Sequence, residues 1–477
     1  MADPKLLKAD LCVIGGGSGG LSAAAGAAML GLKVVLFEKH EMGGDCLNYG
    51  CVPSKALLSA AKAAHAPREA ARYGVNAPPA TPDWTGVKAY VRKTIETIAP
   101  VDSQERFEGL GCTVIREAAR FDSKDTVVSA SVRVKARRII VATGSQAFIP
   151  PIPGLADVPY LTNETIFSMP DFPQHLIVLG GGPIGLELAQ AFGRLGAQVT
   201  VIEMGRALAR ADAGHAALAV EAIRKEGVTI LEGYKAARLS GGPGAITVHA
   251  EGPDGETALH GSHLLVALGR RAVLGGLDLE KGGVAFTPAG VTVGDNLRSR
   301  SNPRVWALGD AAGREQFTHV AGWHASVFIR RAFFKQGSTA ASLPVPAVTY
   351  TSPEIAQIGL TEAEARKTFG DAVKTTAFPF HENDRAIAEG KTLGEAKLVL
   401  HKGKLVGASI AGDGAGDILQ LVSLAMSNGM KLTALTNFIS PYPTRAEVVK
   451  RAASAYFTPS VFGKPARTLV SLLQRIP

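Results

Sequence analysis

Leu11-Cys-Val-Ile-Gly-Gly-Gly-Ser-Gly-Gly20 decides the fold of this 477-residue chain, because it returns 165 residues later as Leu176-Ile-Val-Leu-Gly-Gly-Gly-Pro-Ile-Gly185. Each copy is an apolar strand run followed by G-x-G-x-x-G, with Gly15, Gly17 and Gly20 in the first and Gly180, Gly182 and Gly185 in the second. The apolar runs that come next, Val-Val-Leu-Phe-Glu38 and Val-Thr-Val-Ile-Glu203, both end in an acid 18 residues past the last glycine. In such a turn the first glycine bends the chain sharply, the second admits a pyrophosphate to the backbone, and the third packs helix on strand. The helix that follows presents free N–H groups and its positive dipole end to the phosphates, and the acid accepts bonds from ribose hydroxyls. Two copies predict an α/β chain with two Rossmann-like, doubly wound nucleotide-binding domains.

A second echo supports this reading. Ile139-Ile-Val-Ala-Thr-Gly-Ser145 matches Leu264-Leu-Val-Ala-Leu-Gly-Arg270, each a buried-strand run stopped by glycine. Pro150-Pro-Ile-Pro-Gly154 can continue neither a helix nor a central strand and reads as a hinge. Residues 83 to 109 read as one helix after a proline-rich stretch, and Gly241-Gly-Pro-Gly244 as a hairpin turn. From about residue 346 alternating apolar strands are followed by helices, which predicts a separate C-terminal α+β domain. The expected division is 1–150, 151–275, 276–345 returning to the first domain, and 346–477.

Composition narrows the class. With 46% hydrophobic and 19% charged residues the chain is folded over most of its length and long enough for several cores. The 51 Lys and Arg against 42 Asp and Glu leave +9, but no block of like charges marks a nucleic-acid arm. Residues 11 to 37 carry only Lys33 as a charge, yet seven glycines break that window, so strand, turn and helix are expected there and no membrane span. Four cysteines in such a length are no secreted disulfide framework, so a reducing, cytoplasmic setting is expected.

Two of those cysteines lie in Gly43-Gly-Asp-Cys-Leu-Asn-Tyr-Gly-Cys-Val-Pro-Ser-Lys55, directly after the first nucleotide-binding unit. Gly50 and Pro53 suit a loop running into a helix start, which puts Cys51 at a helix N-terminus, where the dipole favours the reactive thiolate. Cys12 and Cys112 sit in apolar runs and read as core residues.

With these residues in place the sequence resembles the flavin-dependent pyridine nucleotide disulfide oxidoreductases, the group of dihydrolipoamide dehydrogenase, glutathione reductase and mercuric reductase. The likeness spans nearly the whole chain: both fingerprints, the C-x4-C motif, Ala142-Thr-Gly144, Val305-Trp-Ala-Leu-Gly-Asp310 and Tyr350-Thr-Ser-Pro-Glu354. It implies a homodimer holding FAD through Gly15, Gly17, Gly20, Glu38, Gly44, Lys55, Thr143, Gly144 and Asp310. NADH or NADPH would lie on Gly180, Gly182, Gly185, Glu203 and Gly269. A carboxylate at Glu203 about 4 Å from a 2′-phosphate would cost roughly 4 kcal/mol at an effective dielectric near 20, which favours NADH, although Arg206 or Arg210 could rescue NADPH. The resemblance further implies that electrons pass from NAD(P)H through FAD to a Cys46–Cys51 disulfide, with Cys51 facing the flavin, Cys46 facing the substrate, and Lys55 paired with Glu187 beside the ring.

The sequence also departs from the family. Pro441-Tyr-Pro-Thr-Arg-Ala-Glu447 has Tyr442 where disulfide reductases carry a catalytic His, and a phenol with a pKa near 10 is no general base at pH 7. Mercuric reductase resembles the chain more closely at this place, so the expected acceptor is disulfide-like or a soft metal ion, handled as substrate and not at a resident metal site. Glu447, without a His partner, is expected to accept from Tyr442. Asp45 replaces the usual Thr and should disfavour a Cys46 thiolate. His319 reads as a structural hydrogen-bond donor, and His65 as too far along its helix to serve the thiols. The tail from Phe457 to Pro477 alternates apolar and basic residues, which suggests either a membrane-surface helix or docking on the C-terminal domain, and docking is expected. The alternative reading is a transhydrogenase or quinone-type reductase in which the disulfide is incidental.

Overall fold

The computed structural model describes residues 4–340 and 343–476. The N-terminal glycine fingerprint folds as strand, turn and helix: β1 (Lys5–Ile14), α1 (Ser18–Met29) and β2 (Val34–Phe37). Leu11 to Ile14 and all of β2 are buried, as expected for parallel strands covered on both faces. The thiol segment follows as α2 (Gly44–Asn48) and α3 (Cys51–Ala70). The helix expected over 83 to 109 is in fact two, α4 (Trp84–Ile98) and α5 (Gln104–Gly109), separated by a short turn that contains Pro100. Proline cannot donate the next helical bond, and the Ser103 hydroxyl accepts from Arg106 N–H to start a fresh helix. Then come β3 (Cys112–Ile115), β4 (Arg120–Ser123), β5 (Thr126–Val128) and β6 (Val132–Val141).

A short strand, β7 (Ser145–Ala147), leads into the second unit. It consists of β8 (His175–Leu179), α6 (Pro183–Arg194), β9 (Gln198–Glu203), α7 (Ala213–Lys225) and β10 (Thr229–Glu232). The antiparallel strands β11 (Lys235–Gly242), β12 (Ala245–Gly252) and β13 (Gly255–Gly261) follow, the first two joined at the Pro243-Gly244 turn that the glycine cluster signalled. β14 (His263–Val266) closes a parallel sheet of order β10-β9-β8-β14. β15 (Arg270–Ala272) then pairs antiparallel with β7 and carries the chain back to the first unit, Arg270 opposite Ala147 and Ala272 opposite Ser145. After the hairpin β16 (Phe286–Thr287) and β17 (Gly290–Val291), β18 (Val305–Ala307) joins β6 in parallel. The first sheet thus has seven strands, six in the order β3-β2-β1-β6-β5-β4 with β18 beside β6, and α8 (Thr318–Ala332) packs on α1.

The C-terminal unit is an antiparallel five-stranded sheet flanked by helices. Its elements are β19 (Pro346–Thr349), β20 (Glu354–Gly359), α9 (Glu362–Phe369), β21 (Val373–Pro379), α10 (Asp384–Ala388), β22 (Glu395–His401) and β23 (Lys404–Gly412). The helices α11 (Ala415–Ser427), α12 (Glu447–Val461) and α13 (Lys464–Leu473) end the chain. Sheet order is β19-β20-β23-β22-β21, and Ile358, Leu398, Leu400 and Ile410 meet Val448, Val449 and Ala452 of α12 in one core. Of the tail, Phe457 packs on this core as expected, whereas no residue of α13 is buried within the protomer, and Pro477 lies outside the described residues. No helix among the described residues is long and apolar enough to cross a membrane.

Candidate active site

The two glycine turns match atom for atom. Gly16 N–H donates to Glu38 Oε2 at 2.6 Å and His40 N–H to Glu38 Oε1 at 2.7 Å; Gly181 N–H donates to Glu203 Oε2 at 2.7 Å and Gly205 N–H to Glu203 Oε1 at 2.8 Å. Each acid is therefore held at the strand end beside its own fingerprint, where a ribose would lie. A Cβ on Gly20 would sit 1.9 Å from Gly15 O, and on Gly185 2.0 Å from Gly180 O, so helix and strand touch there as the third glycine requires. On Gly182 a Cβ would meet nothing within 4 Å, and on Gly17 nothing nearer than Gly44 Cα at 3.8 Å, leaving the open approach a pyrophosphate needs. These cradles fit a dinucleotide at each turn.

Other predicted residues gather around the first cradle. Gly43 N–H donates to Gly16 O at 2.9 Å, and a Cβ on Gly44 would lie 2.8 Å from Gly17 Cα, so the thiol segment is laced to the fingerprint through glycines. Thr143 Oγ1 donates to Val273 O at 2.6 Å and fixes Gly144 at the switch between units. Asp310, just past β18, accepts from the Ser145 hydroxyl, and burial raises its pKa. Gly269 lies immediately before β15, at the second unit's side of the crossing.

Cys46 lies within α2, and Cys51 opens α3 after Gly50, so the helix dipole points at Cys51. The chain curls between them enough for each thiol to act on the other. The Cys46 thiol is the largest influence on Cys51, lowering its pKa to about 6; the Thr318 hydroxyl, 3.4 Å from Cys51 Sγ, and the Lys55 charge act the same way against burial. Cys46 moves upward, because the neighbouring Cys51 and partial burial both favour its protonated form. Cys12 and Cys112 are buried with raised pKa values, Cys112 to about 11, and both are core residues as expected.

Lys55 Nζ reaches Glu187 Oε2 at 2.9 Å and lies 4.2 Å from the centre of the Tyr350 ring, while Glu187 Oε1 accepts Tyr350 N–H at 2.9 Å. Residues from α3, α6 and the start of the C-terminal unit thus fix the ammonium beside the thiols. Removing this charge with Lys55→Met should raise the Cys51 titration midpoint by about one unit, readable from thiolate ultraviolet absorbance.

Asp45 corrects the sequence expectation. Its Oδ1 accepts from Arg270 at 3.0 Å and from Asn163 Nδ2 at 3.0 Å, so the carboxylate is paired by β15, and it acts on the thiols as an upward influence on Cys51. Arg270, whose side chain is 13% exposed, also donates to Ser145 Oγ and O at 2.8 Å each, and so joins the thiol segment to Asp310. Asp45→Asn should therefore strand a mostly buried guanidinium and lower stability by roughly 1–2 kcal/mol, measured by urea unfolding of the loaded protein.

At the other end, the Tyr442 hydroxyl donates to Asp384 Oδ2 at 2.9 Å, not to Glu447, and the Asp384 carboxylate raises its pKa further from any role as a base. Glu447 opens α12 and pairs with Arg451 one turn on, at 3.0 Å, which is the nearest partner its helix offers. Both residues belong to the chain's C-terminal unit, where Asp384 and Arg451 are their partners. His319 Nε2 bonds Pro346 O at 2.9 Å, the structural role expected, and His65 lies 14 residues beyond Cys51, about 21 Å along α3. Sequence reading assigned no site role to Thr318, Asn163, Arg270 and Tyr350: Arg270 and Tyr350 lie inside quoted motifs, but all four are far from the thiols in sequence.

Comparison with known proteins comes down on the same side. Residues 9–325 match the family described as pyridine nucleotide-disulphide oxidoreductase, and residues 345–453 match its dimerisation domain. The chain is 34% identical to the mercuric reductase of Streptomyces lividans over 455 residues, covering 94% of this chain and 96% of that protein. It is 36% identical to the dihydrolipoyl dehydrogenase of Thermus scotoductus over 462 residues, covering 94% and 97%. Among solved structures it resembles the HOCl-induced flavoprotein disulfide reductase RclA from Escherichia coli, with a TM-score of 0.83 at 25% identity, covering 93% of this chain and 99% of that one.

Proposed function

Because the chain belongs to the pyridine nucleotide-disulphide oxidoreductases, a family of homodimeric enzymes that use FAD and NAD(P)H, we propose that Cys46 and Cys51 are its redox pair and a thiophilic metal ion such as Hg(II) its acceptor. When bound, FAD relays two electrons from the nicotinamide to this pair. The observation that carries the reading is the placement of two free thiols, Cys46 in α2 and Cys51 at the first position of α3, with Cys51 Sγ 3.4 Å from the Thr318 hydroxyl and Lys55 braced by Glu187 one turn along the helix. Oxidation of the Cys46 thiol and the Cys51 thiolate to one disulfide releases two electrons and one proton, and two electrons take a divalent soft ion to its element. Two sulfur donors also match the ligand preference of such an ion.

The residues around the pair have distinct tasks in this scheme. Lys55, braced by Glu187 and Tyr350, supplies positive charge beside Cys51 and the flavin ring; Gly44, Thr143, Gly144 and Asp310 hold FAD with the first fingerprint. Gly180, Gly182, Gly185, Glu203 and Gly269 hold the nicotinamide nucleotide. The Glu203 carboxylate, held at the strand end by Gly181 and Gly205 N–H, favours NADH by repelling a 2′-phosphate; Arg206 and Arg210 are the side chains that would have to turn toward that phosphate to offset it. Tyr442, bonded to Asp384, orients or relays the metal without abstracting a proton, whereas a dithiol substrate would need a base there. We place the enzyme in the cytoplasm, where free thiols persist.

Turnover measured with NADH and NADPH against Hg(II), Cu(II), lipoamide and glutathione disulfide tests the assignment. Hg(II) with NADH should be fastest; lipoamide or glutathione disulfide exceeding Hg(II) would overturn the acceptor. A pH titration tests the thiolate. Since the Cys51 pKa is lowered to about 6, the reduced enzyme should keep its thiolate at neutral pH and lose it as the pH falls through about 6; a midpoint near 9 would refute the arrangement.

A further inference from the structure

The end of the chain takes no part in the electron path, yet its chemistry is specific. Beyond Glu447 the sequence carries five basic residues, Lys450, Arg451, Lys464, Arg467 and Arg475, and no acid. The matched dimerisation domain stops at 453, so the last two dozen residues lie past the region the family shares. α12 is anchored, with Val448, Val449, Ala452 and Ala453 buried in the C-terminal core, whereas α13, restarted by Gly463 and Pro465, buries nothing.

α13 is sharply two-faced. At about 100° per residue, Leu469, Val470, Leu472 and Leu473 fall within an arc of about 160°, while Lys464, Arg467, Thr468 and Ser471 occupy the opposite side. Each of the four apolar side chains is more than half exposed, as are Val461 and Phe462 just before the helix and Ile476 just after it. A contiguous apolar stripe of this kind in water demands a cover. A second copy of the same segment would set Lys464, Arg467 and Arg475 against the same three charges, with no acid between them to offset the repulsion. An anionic lipid surface is complementary on both counts: headgroups for the basic residues and acyl chains for the stripe.

We propose that α13 is a membrane-surface helix that docks the homodimer on an anionic bilayer, lying in the interface plane with Leu469, Val470, Leu472 and Leu473 inserted. The helix does not span, and the site built around Cys46 and Cys51 works whether or not it is docked.

Sedimentation of the FAD-loaded dimer with phosphatidylcholine vesicles, with and without phosphatidylglycerol, tests this. The wild type should sediment with the anionic vesicles only and be released by high salt. Lys464→Gln, Arg467→Gln and Arg475→Gln together should weaken partition roughly a hundredfold, at about fivefold per basic residue, and Leu469→Ser with Leu473→Ser at least tenfold. Both variants should keep wild-type NADH turnover and dimer mass. The proposal fails if the wild type sediments with neither vesicle, if it binds both equally, or if the serine variant binds like wild type. It also fails if the serine variant instead dissociates to monomers, which would make the partner protomer the occupant of the stripe.

Discussion

The Cys51→Ser enzyme should lose acceptor turnover by about a thousandfold or more while its flavin is still reduced by NADH. The argument rests on the position of Cys51. It opens α3 with Cys46 and Lys55 acting on it and the Thr318 hydroxyl 3.4 Å from its sulfur, so its pKa is lowered to about 6, and serine at that place has no comparable acidity or redox chemistry. Loss of an obligatory sulfur removes the whole two-electron couple, so Cys46→Ser should be about as severe, and the double variant hardly worse than either single one. The nicotinamide half is built on the second fingerprint and does not use the thiols. Rapid-mixing measurements separate the halves: flavin reduction at near wild-type rate with steady-state turnover abolished is the expected pattern. If the double variant keeps turnover within tenfold of wild type, the thiols are off the path and a transhydrogenase or quinone-type reductase is the better description.

The complementary effect comes from Gly185→Val. A Cβ there would stand 2.0 Å from Gly180 O and 3.1 Å from Gly180 C, both backbone atoms that cannot swing aside, so α6 must move off β8. That displaces the N–H groups and the dipole end offered to the nicotinamide nucleotide's pyrophosphate. Nicotinamide-driven turnover should fall at least a hundredfold in kcat/KM, while flavin content stays near wild type and dithionite still opens the disulfide. Gly20→Val, where a Cβ would stand 1.9 Å from Gly15 O, should do the reverse and empty the protein of FAD. Equal flavin loss in both variants would contradict the assignment of one nucleotide to each turn.

Much of this was legible without coordinates. Both fingerprints, the 18-residue step to Glu38 and Glu203, and the strand echoes at 139 and 264 gave two nucleotide-binding units, and each appears with its acid hydrogen-bonded to its own turn. The single helix expected over 83 to 109 failed because Pro100 and Ser103 outweigh periodicity at that point. Asp45 was read as a charge beside the disulfide, since nothing near it in sequence shows that Arg270 is its partner. Glu447 was read against Tyr442 because they are five residues apart, whereas the loop turns the phenol toward Asp384 and the helix turns the carboxylate toward Arg451.

What the sequence determined by itself is whatever backbone sterics and short spacing dictate: the glycine turns, the helix start at Cys51, the two cysteines close enough to meet, and the mix of apolar and basic residues in the tail. What only the tertiary structure decided is which distant charges face one another. Arg270 reaches Asp45 and Ser145 because β15 crosses back to pair with β7, and Lys55 reaches Glu187 because α3 packs on α6. Contacts of that kind join residues more than a hundred positions apart, and their partners are chosen by sheet register and helix packing, which no local pattern of residues encodes.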